Sequence, residues 1–181
     1  MKSTKKKAAE TASIKNSFFI REASKKEDSK GFLRLLVALA NYEHLEPPNQ
    51  SARRRIIEDI FSPKKKKKKA NLFVALDRES KEQVGYALYF FTYSSFLARP
   101  TLYLEDIFVL EEHRGRGIGQ ALFQKCVDEA KSRGCGRMEW AVLTWNKNAI
   151  KFYEKLGARR MTEWYTYRLN SEGIERLSAT R

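Results

Sequence analysis

The sequence of 181 residues contains only two cysteines and two histidines. Neither pair has the spacing of a metal site, such as two histidines four positions apart, and Cys126 falls on the apolar side of a predicted helix. We therefore expect no metal ion. We also expect Cys126 and Cys135 to be reduced core or near-surface residues that form no disulfide.

Long apolar runs are also missing from this sequence. No stretch approaches the roughly 20 apolar residues that a helix needs to cross a bilayer, and the N-terminus lacks the apolar core of a secretory signal. These absences predict a soluble, cytoplasmic protein. The length favours one domain, which we place at residues 18–170, with a disordered basic tail at 1–17 and a polar C-terminal tail at 171–181.

Negative charge is scarce, and the formal net charge is +14. Residues 1–17 carry +4 and the run Lys64–Lys69 carries +6, which leaves +4 for the rest of the chain. Such an excess is typical of proteins that bind nucleic acid or membrane surfaces, but here most of it lies in two segments without an apolar face. We interpret residues 63–69 as a solvated lysine-rich loop. A patch that binds polyanions is the alternative.

One stretch of the chain combines the signals of a strand, a glycine-rich turn and a helix. The strand part is rich in aromatic and β-branched residues, and strict alternation gives two faces: Tyr103, Glu105, Ile107 and Val109 on one, and Leu104, Asp106 and Phe108 on the other. Apolar residues on both faces predict an interior strand. Glu105 and Asp106 should then face opposite sides and have different roles. An ion pair with an arginine or lysine is an alternative role for either acid.

The strand is followed by the sequence Arg114-Gly115-Arg116-Gly117-Ile118-Gly119, and apolar residues then recur with the spacing of one helical face. Glycines let the backbone approach a ligand closely. The free N–H groups of a helix start, with the helix dipole and two arginines, favour an anion such as a pyrophosphate. A glycine-rich loop without a ligand is the alternative, because three glycines alone are weak support.

The remaining pattern predicts an α/β (α+β) protein with a mixed, mostly antiparallel central sheet and helices on both faces. A capping box at Ser24 and an Asn146 cap mark two helix starts. The expected strands are Phe18–Arg21, Leu72–Leu76, Val84–Tyr93, Leu102–Val109, Met138–Leu143 and Thr162–Leu169. The expected helices are one from Ser24 to an end near Tyr42 to Leu45, Ser51–Phe61, the one after the glycines, and one from about Lys147 to Leu156.

The motif Arg-x-x-Gly-x-Gly at residues 114–119, between a strand and an amphipathic helix, resembles the acetyl-CoA-binding signature of the GNAT superfamily of N-acetyltransferases. Tyr103–Val109, Trp145-Asn146 and Ile150–Tyr153 are further similar to its diamine and thialysine acetyltransferase branch. The resemblance covers residues 18 to 170. It implies the GNAT fold, acetyl-CoA as co-substrate, a homodimer, and acetyl transfer to a primary amine of a small substrate by direct attack on the thioester.

The resemblance also implies roles for individual residues. Glu105 is the implied general base, and Tyr153, which would otherwise be interpreted as a core aromatic, is the implied general acid. The implied amine-binding residues are Tyr42, Glu43, Glu105, Asp106 and Trp145. The implied cofactor-binding residues are Ile107, Phe108, Val109, Arg114, Gly115, Arg116, Gly117, Ile118, Gly119, Gln120, Asn146, Ala149 and Tyr153. Core packing for Trp145 and simple helix capping for Asn146 are the alternatives.

Departures from the branch pattern bear on the substrate. Where polyamine-acetylating members have Asp followed two places later by Trp, this chain has Ser94 and Phe96, and Tyr165 stands where they have an acid. The lost carboxylate disfavours long polyamines. Ser94, with residues 104–107 and 141–143, is more similar to the thialysine-type members, and this resemblance implies short amines with an amino-acid end. Two other functions stay open: acetylation of a protein lysine or N-terminus, and a non-catalytic polyanion-binding module.

Overall fold

The structure, a computed structural model, describes residues 17–62 and 68–179. Its strands are β1 (Phe18–Glu22), β2 (Asn71–Asp77), β3 (Gln83–Ser94), β4 (Arg99–Val109) and β5 (Arg137–Glu139). Its α-helices are α1 (Lys25–Tyr42), α2 (Gln50–Phe61), α3 (Ile118–Ser132), α4 (Lys147–Lys155) and α5 (Ser171–Ser178). The predicted basic tail, except residue 17, and residues 63–67 of the predicted lysine-rich loop lie outside the described residues.

The chain divides into two compact units, one ending at Ala141 and the other beginning at Val142. All five strands lie in the first unit, in one sheet that follows chain order from β1 to β5. The pairs from β1 to β4 are antiparallel, and β5 runs parallel to β4. The predicted mixed, mostly antiparallel sheet is confirmed, and β4 is an interior strand as expected.

One layer of the core of the first unit lies between the sheet and α1. Phe32 and Leu35 on α1 are fully buried against Val74, Tyr86 and Phe108 of the sheet. Edge-to-face packing joins the Phe32 and Tyr86 rings, whose centroids are 5.0 Å apart. This packing fixes α1 across β2, β3 and β4.

Helix α3 covers the opposite face of the sheet. A Cβ placed on Gly85 would lie 3.4 Å from Leu122 Cδ1 on α3, whereas the next residue, Tyr86, packs against α1. Successive strand residues point to opposite faces, so α1 and α3 lie on different sides. The prediction of helices on both faces is therefore confirmed within the first unit.

The start of α1 differs in detail from the predicted capping box. Ser24 is the N-cap, as expected, but its N–H donates to Asp28 Oδ2 at 2.6 Å, where the capping box would use the carboxylate of Glu27. Asp28 is buried, and it also accepts hydrogen bonds from Arg21 and Gln83. One carboxylate thus joins β1, α1 and β3.

Two strand predictions near the C-terminus are wrong. The predicted strand Met138–Leu143 is only β5, whose three residues pair with β4. The predicted strand Thr162–Leu169 has turn or irregular structure. A strand needs a neighbouring strand to take up its backbone hydrogen bonds, and no described strand pairs with residues 162–169.

The polar tail expected after residue 170 contains a helix. Asn170 Oδ1 accepts a hydrogen bond from Gly173 N at 3.0 Å and caps α5. The predicted α2 and α4 are confirmed within a residue or two, each with an asparagine cap at Asn49 or Asn146. Among the residues that the structure covers, no helix has the length and hydropathy needed to span a membrane.

Candidate active site

Strand β4 carries one more residue than β3 where the two strands pass each other. Tyr89 is opposite Leu104 and Leu88 is opposite Asp106, so Glu105 has no partner on β3. This arrangement is a β-bulge. Residues paired across a ladder share a face of the sheet, whereas the neighbours Leu88 and Tyr89 face opposite sides. Leu104 and Asp106 therefore also face opposite sides.

The alternation predicted for residues 102–109 is consequently wrong across Glu105. Leu104 lies on the same face as Ile107 and Val109, the face of α3, instead of the face of Asp106. Tyr103, which was predicted to share the face of Ile107, lies on the α1 face. The bulge shifts the alternation of faces by one residue at Glu105. The sequence pattern of β4 alone does not reveal this shift.

Three carboxylates interact around Tyr86, which is fully buried. Its hydroxyl donates a hydrogen bond to Asp106 Oδ2 at 3.3 Å. Glu43, the C-cap of α1, and Glu105 both act electrostatically on Asp106 and on Tyr86. The structure therefore brings together the predicted acids Glu43, Glu105 and Asp106, which come from two separate elements.

Burial and mutual repulsion shift the acid–base properties of this cluster. Burial, followed by the charge of Glu105, raises the pKa of Asp106 to about 6, although the Tyr86 hydrogen bond opposes the shift. Burial also raises the pKa of Glu43. Burial and the nearby acids raise the pKa of Tyr86 well above its usual value, so it remains a donor. A cation placed here would relieve the repulsion, which makes the cluster suited to an ammonium group.

We expect Asp106→Asn to stabilise the protein by about 1–3 kcal/mol above pH 6 and to have almost no effect below pH 4. The folded pKa of about 6 lies above the ordinary value of 3.8 for an aspartic acid, so the folded state binds an extra proton between these pH values. As the pH rises through this window, ionisation of Asp106 lowers the free energy of unfolding. Asparagine cannot ionise, so the variant does not lose this stability. Urea unfolding at pH 4 and pH 8 measures it, with exposed Glu112→Gln as the control. An equal gain at both pH values would contradict the argument.

The glycine-rich loop leads directly into α3, as predicted. Gly115 and Gly117 have φ of +76° and +81°, in the left-handed region, and no atom lies within 4 Å of where their Cβ atoms would be. Gly117 is the N-cap of α3 and has no side chain to accept from the first turn of the helix. The resulting open, uncapped helix start fits a pyrophosphate group.

Arg114 connects this loop with the end of α1. Its Nε donates to the Val109 carbonyl at 3.0 Å, and its guanidinium carbon lies 4.7 Å from the ring centroid of Tyr42 and 5.8 Å from that of Phe108. Such cation–π contacts are attractive. Tyr42 is the neighbour of Glu43 in the chain, so this contact joins the glycine-rich loop to the acidic cluster.

The second edge of β4 is free along its later part. The ladder with β5 ends at Tyr103, and no described strand pairs on that side with residues 104–109. Backbone N–H groups that point outward at such an edge are available to a ligand. These residues include Ile107, Phe108 and Val109, which the family resemblance assigns to the cofactor.

The second unit contains the other predicted site residues. Asn146 Oδ1 accepts from Ala149 N at 3.1 Å, which confirms Asn146 as the helix cap. Tyr153 is buried on α4, with its ring centroid 5.3 Å from that of Phe152, and the Trp145 side chain is half exposed. Their roles toward a ligand stay predictions.

Two contributions were missed by sequence reasoning. Tyr86 is a core aromatic, but its hydroxyl also bonds to an acid 20 positions away, and only the register of β3 against β4 reveals this pair. Ser94 stands where polyamine enzymes have an acid. It is buried, and its hydroxyl accepts from Leu97 N at 3.3 Å, so it closes the β3–β4 turn.

Comparisons with known proteins identify the family of this chain. Residues 36–158 match the acetyltransferase (GNAT) family. The thialysine N-epsilon-acetyltransferase of Sus scrofa is 37% identical over 168 residues, which cover 90% of this chain and 98% of that protein. The L-ornithine N5-acetyltransferase of Arabidopsis thaliana is 43% identical over 91 residues, 50% of this chain and 40% of that protein.

A similar fold occurs in an integron cassette protein from the mobile metagenome of V. cholerae. The two structures have a TM-score of 0.75 over 91% of this chain and 99% of that one, at 22% sequence identity. At this identity the likeness concerns the fold.

Proposed function

The chain belongs to the acetyltransferase (GNAT) family, and we propose that it transfers the acetyl group of acetyl-CoA to a primary amine of a small substrate. The observation that carries this proposal is the convergence of Glu43, Glu105 and Asp106, which Arg114 and Tyr42 connect to the uncapped glycine loop. An acidic cluster suits an ammonium group, and a helix start suits a pyrophosphate. The two together match the two substrates of an amine acetyltransferase.

The amine must lose a proton before it can attack the thioester. An alkylammonium group with a pKa near 10.4 is only about one part in 2,500 neutral at pH 7. We assign the proton acceptor to Glu105, which takes the proton directly or through one water. Glu43 and Asp106, with Tyr42 and Trp145, hold the amine. The bulge supports this division, because it leaves Glu105 exposed and outside the ladder that Asp106 joins.

The neutral nitrogen then attacks the carbonyl carbon, and the carbonyl oxygen gains negative charge. Backbone N–H groups at residues 107–109, on the free edge of β4, stabilise this oxyanion and bind the pantetheine arm. Residues 114–120 hold the pyrophosphate, and Asn146 and Ala149 contact the cofactor. The C–S bond breaks, Tyr153 gives its proton to the leaving thiolate, and the nitrogen loses its second proton to the tyrosinate, directly or through water, which leaves the neutral amide and the free CoA thiol.

We further propose a short amine with an amino-acid end as the substrate class. The position of the polyamine-binding acid is a serine that closes a turn, and Phe96, two positions later, is 99% exposed. Each missing contact to a charged group weakens the binding of a cationic substrate by about 1.5–3 kcal/mol, or roughly 10- to 100-fold in affinity. The similar proteins named for thialysine and L-ornithine acetylation support the same class.

The test is the rate of free CoA thiol release from acetyl-CoA with thialysine, ornithine, lysine, putrescine, spermidine and a lysine peptide. We expect kcat/KM for thialysine or ornithine to exceed that for spermidine by at least about tenfold, from the missing contact. Faster release with the peptide would make the chain a protein acetyltransferase. If no amine and no peptide accelerates thiol release, the proposed function is wrong, and polyanion binding by Lys64–Lys69 becomes the function to test.

A homodimer and a cytoplasmic location are the remaining proposals. The resemblance implies a dimer, and the exposed side chains of Trp164, Tyr165 and Tyr167 in the second unit support an association surface. Light scattering decides this proposal, because a dimer has twice the chain mass of 21.1 kDa.

A further inference from the structure

The second arginine of the glycine-rich loop forms different contacts from the first. Arg116 Nη2 lies 2.8 Å from Asp77 Oδ2, and its Nη1 lies 2.6 Å from His113 Nδ1. Both side chains of the ion pair are mostly buried, with 28% of Arg116 and 10% of Asp77 exposed. The two ends of the guanidinium therefore bind protein groups.

Asp77 is the last residue of β2 and organises the turn that follows. Its Oδ1 accepts from Glu79 N at 3.0 Å and from Ser80 N at 3.1 Å, which leaves Oδ2 for Arg116. The Arg116 hydrogen bond, with the turn N–H groups, lowers the pKa of Asp77 to about 2. The carboxylate is consequently ionised, and the pair intact, across the pH range in which an enzyme is assayed.

The glycine loop has few contacts of its own to hold its shape. Gly115 and Gly117 have no side chains, and apart from their chain neighbours no atom lies within 4 Å of the positions that their Cβ atoms would take. Glycine also allows more backbone conformations than any other residue. Arg116, between these two glycines, is attached to the turn after β2, 39 positions away. Arg114, in contrast, stacks on aromatic rings.

We propose that the Asp77–Arg116 ion pair is a tether that holds the glycine-rich loop in the conformation that binds the pyrophosphate of acetyl-CoA. Arg116 is then a positioning residue whose charge is taken up by Asp77, and the backbone N–H groups of the loop bind the phosphates. This inference rests on the proposed use of acetyl-CoA. It replaces the direct cofactor contact that the family resemblance implied for Arg116.

The test compares Asp77→Asn, Arg116→Gln and the double variant in the full chain. Calorimetric titration gives the Kd for CoA, and steady-state assays give KM for acetyl-CoA and kcat. Glu79→Gln is the matched control, because it removes an exposed carboxylate from the same turn without touching Arg116. Arg116→Lys is a milder variant that retains the ion pair but not the fork geometry.

A tether predicts that each single variant raises the Kd for CoA and the KM for acetyl-CoA by about tenfold while kcat at saturation changes less than about twofold. The Kd of the double variant for CoA should be no higher than that of the single variant with the larger loss. The Kd of Arg116→Lys should lie between that of the unaltered protein and those of the single variants. Hydrogen exchange of residues 113–119 in the free protein should quicken in both single variants. A purely structural loss would lower kcat together with the yield of folded protein.

The decisive outcome is the effect of Asp77→Asn. If Arg116 binds phosphate directly, removing its carboxylate partner leaves CoA affinity unchanged or improves it, and the tether is wrong. If the unaltered protein binds no CoA at all, the proposed function fails first, and this result is distinct from a failure of the tether alone.

Discussion

Replacing Glu105 by glutamine should lower kcat/KM for the amine by about 10²- to 10⁴-fold, the range typical of a lost general base. Glutamine has nearly the same shape but cannot take a proton from the ammonium group. Glu105 is exposed and has no partner on β3, so the change leaves the ladder intact. Thiol release with the preferred amine measures the effect, with exposed Glu112→Gln as the control.

The pH dependence of the residual activity separates a base from a simple attraction. Without its base, the variant depends on amine that is already neutral, and that fraction rises tenfold per pH unit up to about pH 10. The activity of Glu105→Gln should therefore approach that of the unaltered protein at high pH. A rise in KM alone, with kcat preserved at pH 7, would show that Glu105 only attracts the cation.

Tyr153→Phe should lower kcat by at least about 10²-fold, because the thiolate then leaves without a proton from the protein. The ring that packs beside Phe152 is retained. The affinity for CoA should stay within about fivefold, since one neutral hydrogen bond contributes about 1 kcal/mol.

The matched control is Tyr93→Phe, which removes a hydroxyl from a 69% exposed tyrosine of the first unit. It should leave kcat unchanged. Equal losses in the two variants, or a Tyr153→Phe loss that appears only in the KM for acetyl-CoA, would remove the general-acid role.

Local signals in the sequence predicted most helices and strands of the first unit and the start of α4 in the second. The glycines at 115 and 117 indicated both the start of α3 and its open conformation, and Asn146 indicated the start of α4. These features depend on residues within a few positions of each other. The spacing of Asn170, Ile174 and Leu177 carried a similar signal for α5, but the surrounding polar residues led to the prediction of a tail.

Features that depend on register or on distant partners were not predictable. The bulge at Glu105 exists only relative to β3, so no property of β4 alone indicates it. The same holds for the Tyr86–Asp106 hydrogen bond and for the Arg116–Asp77 pair. Residues 162–169 have the composition of a strand, but composition does not supply the neighbouring strand that a sheet requires.

The bulge in β4 also bears on how this fold can gain or lose its chemistry through mutation. An in-frame deletion of the single codon for Glu105 would make Leu104 and Asp106 adjacent, on the opposite faces that they already occupy. Each pair from Ser94–Arg99 to Gly85–Val109 would retain its partner. The residues that form the β3–β4 ladder and the proposed base are thus encoded by different codons. Loss or gain of one codon would remove or add the base while the ladder stays paired.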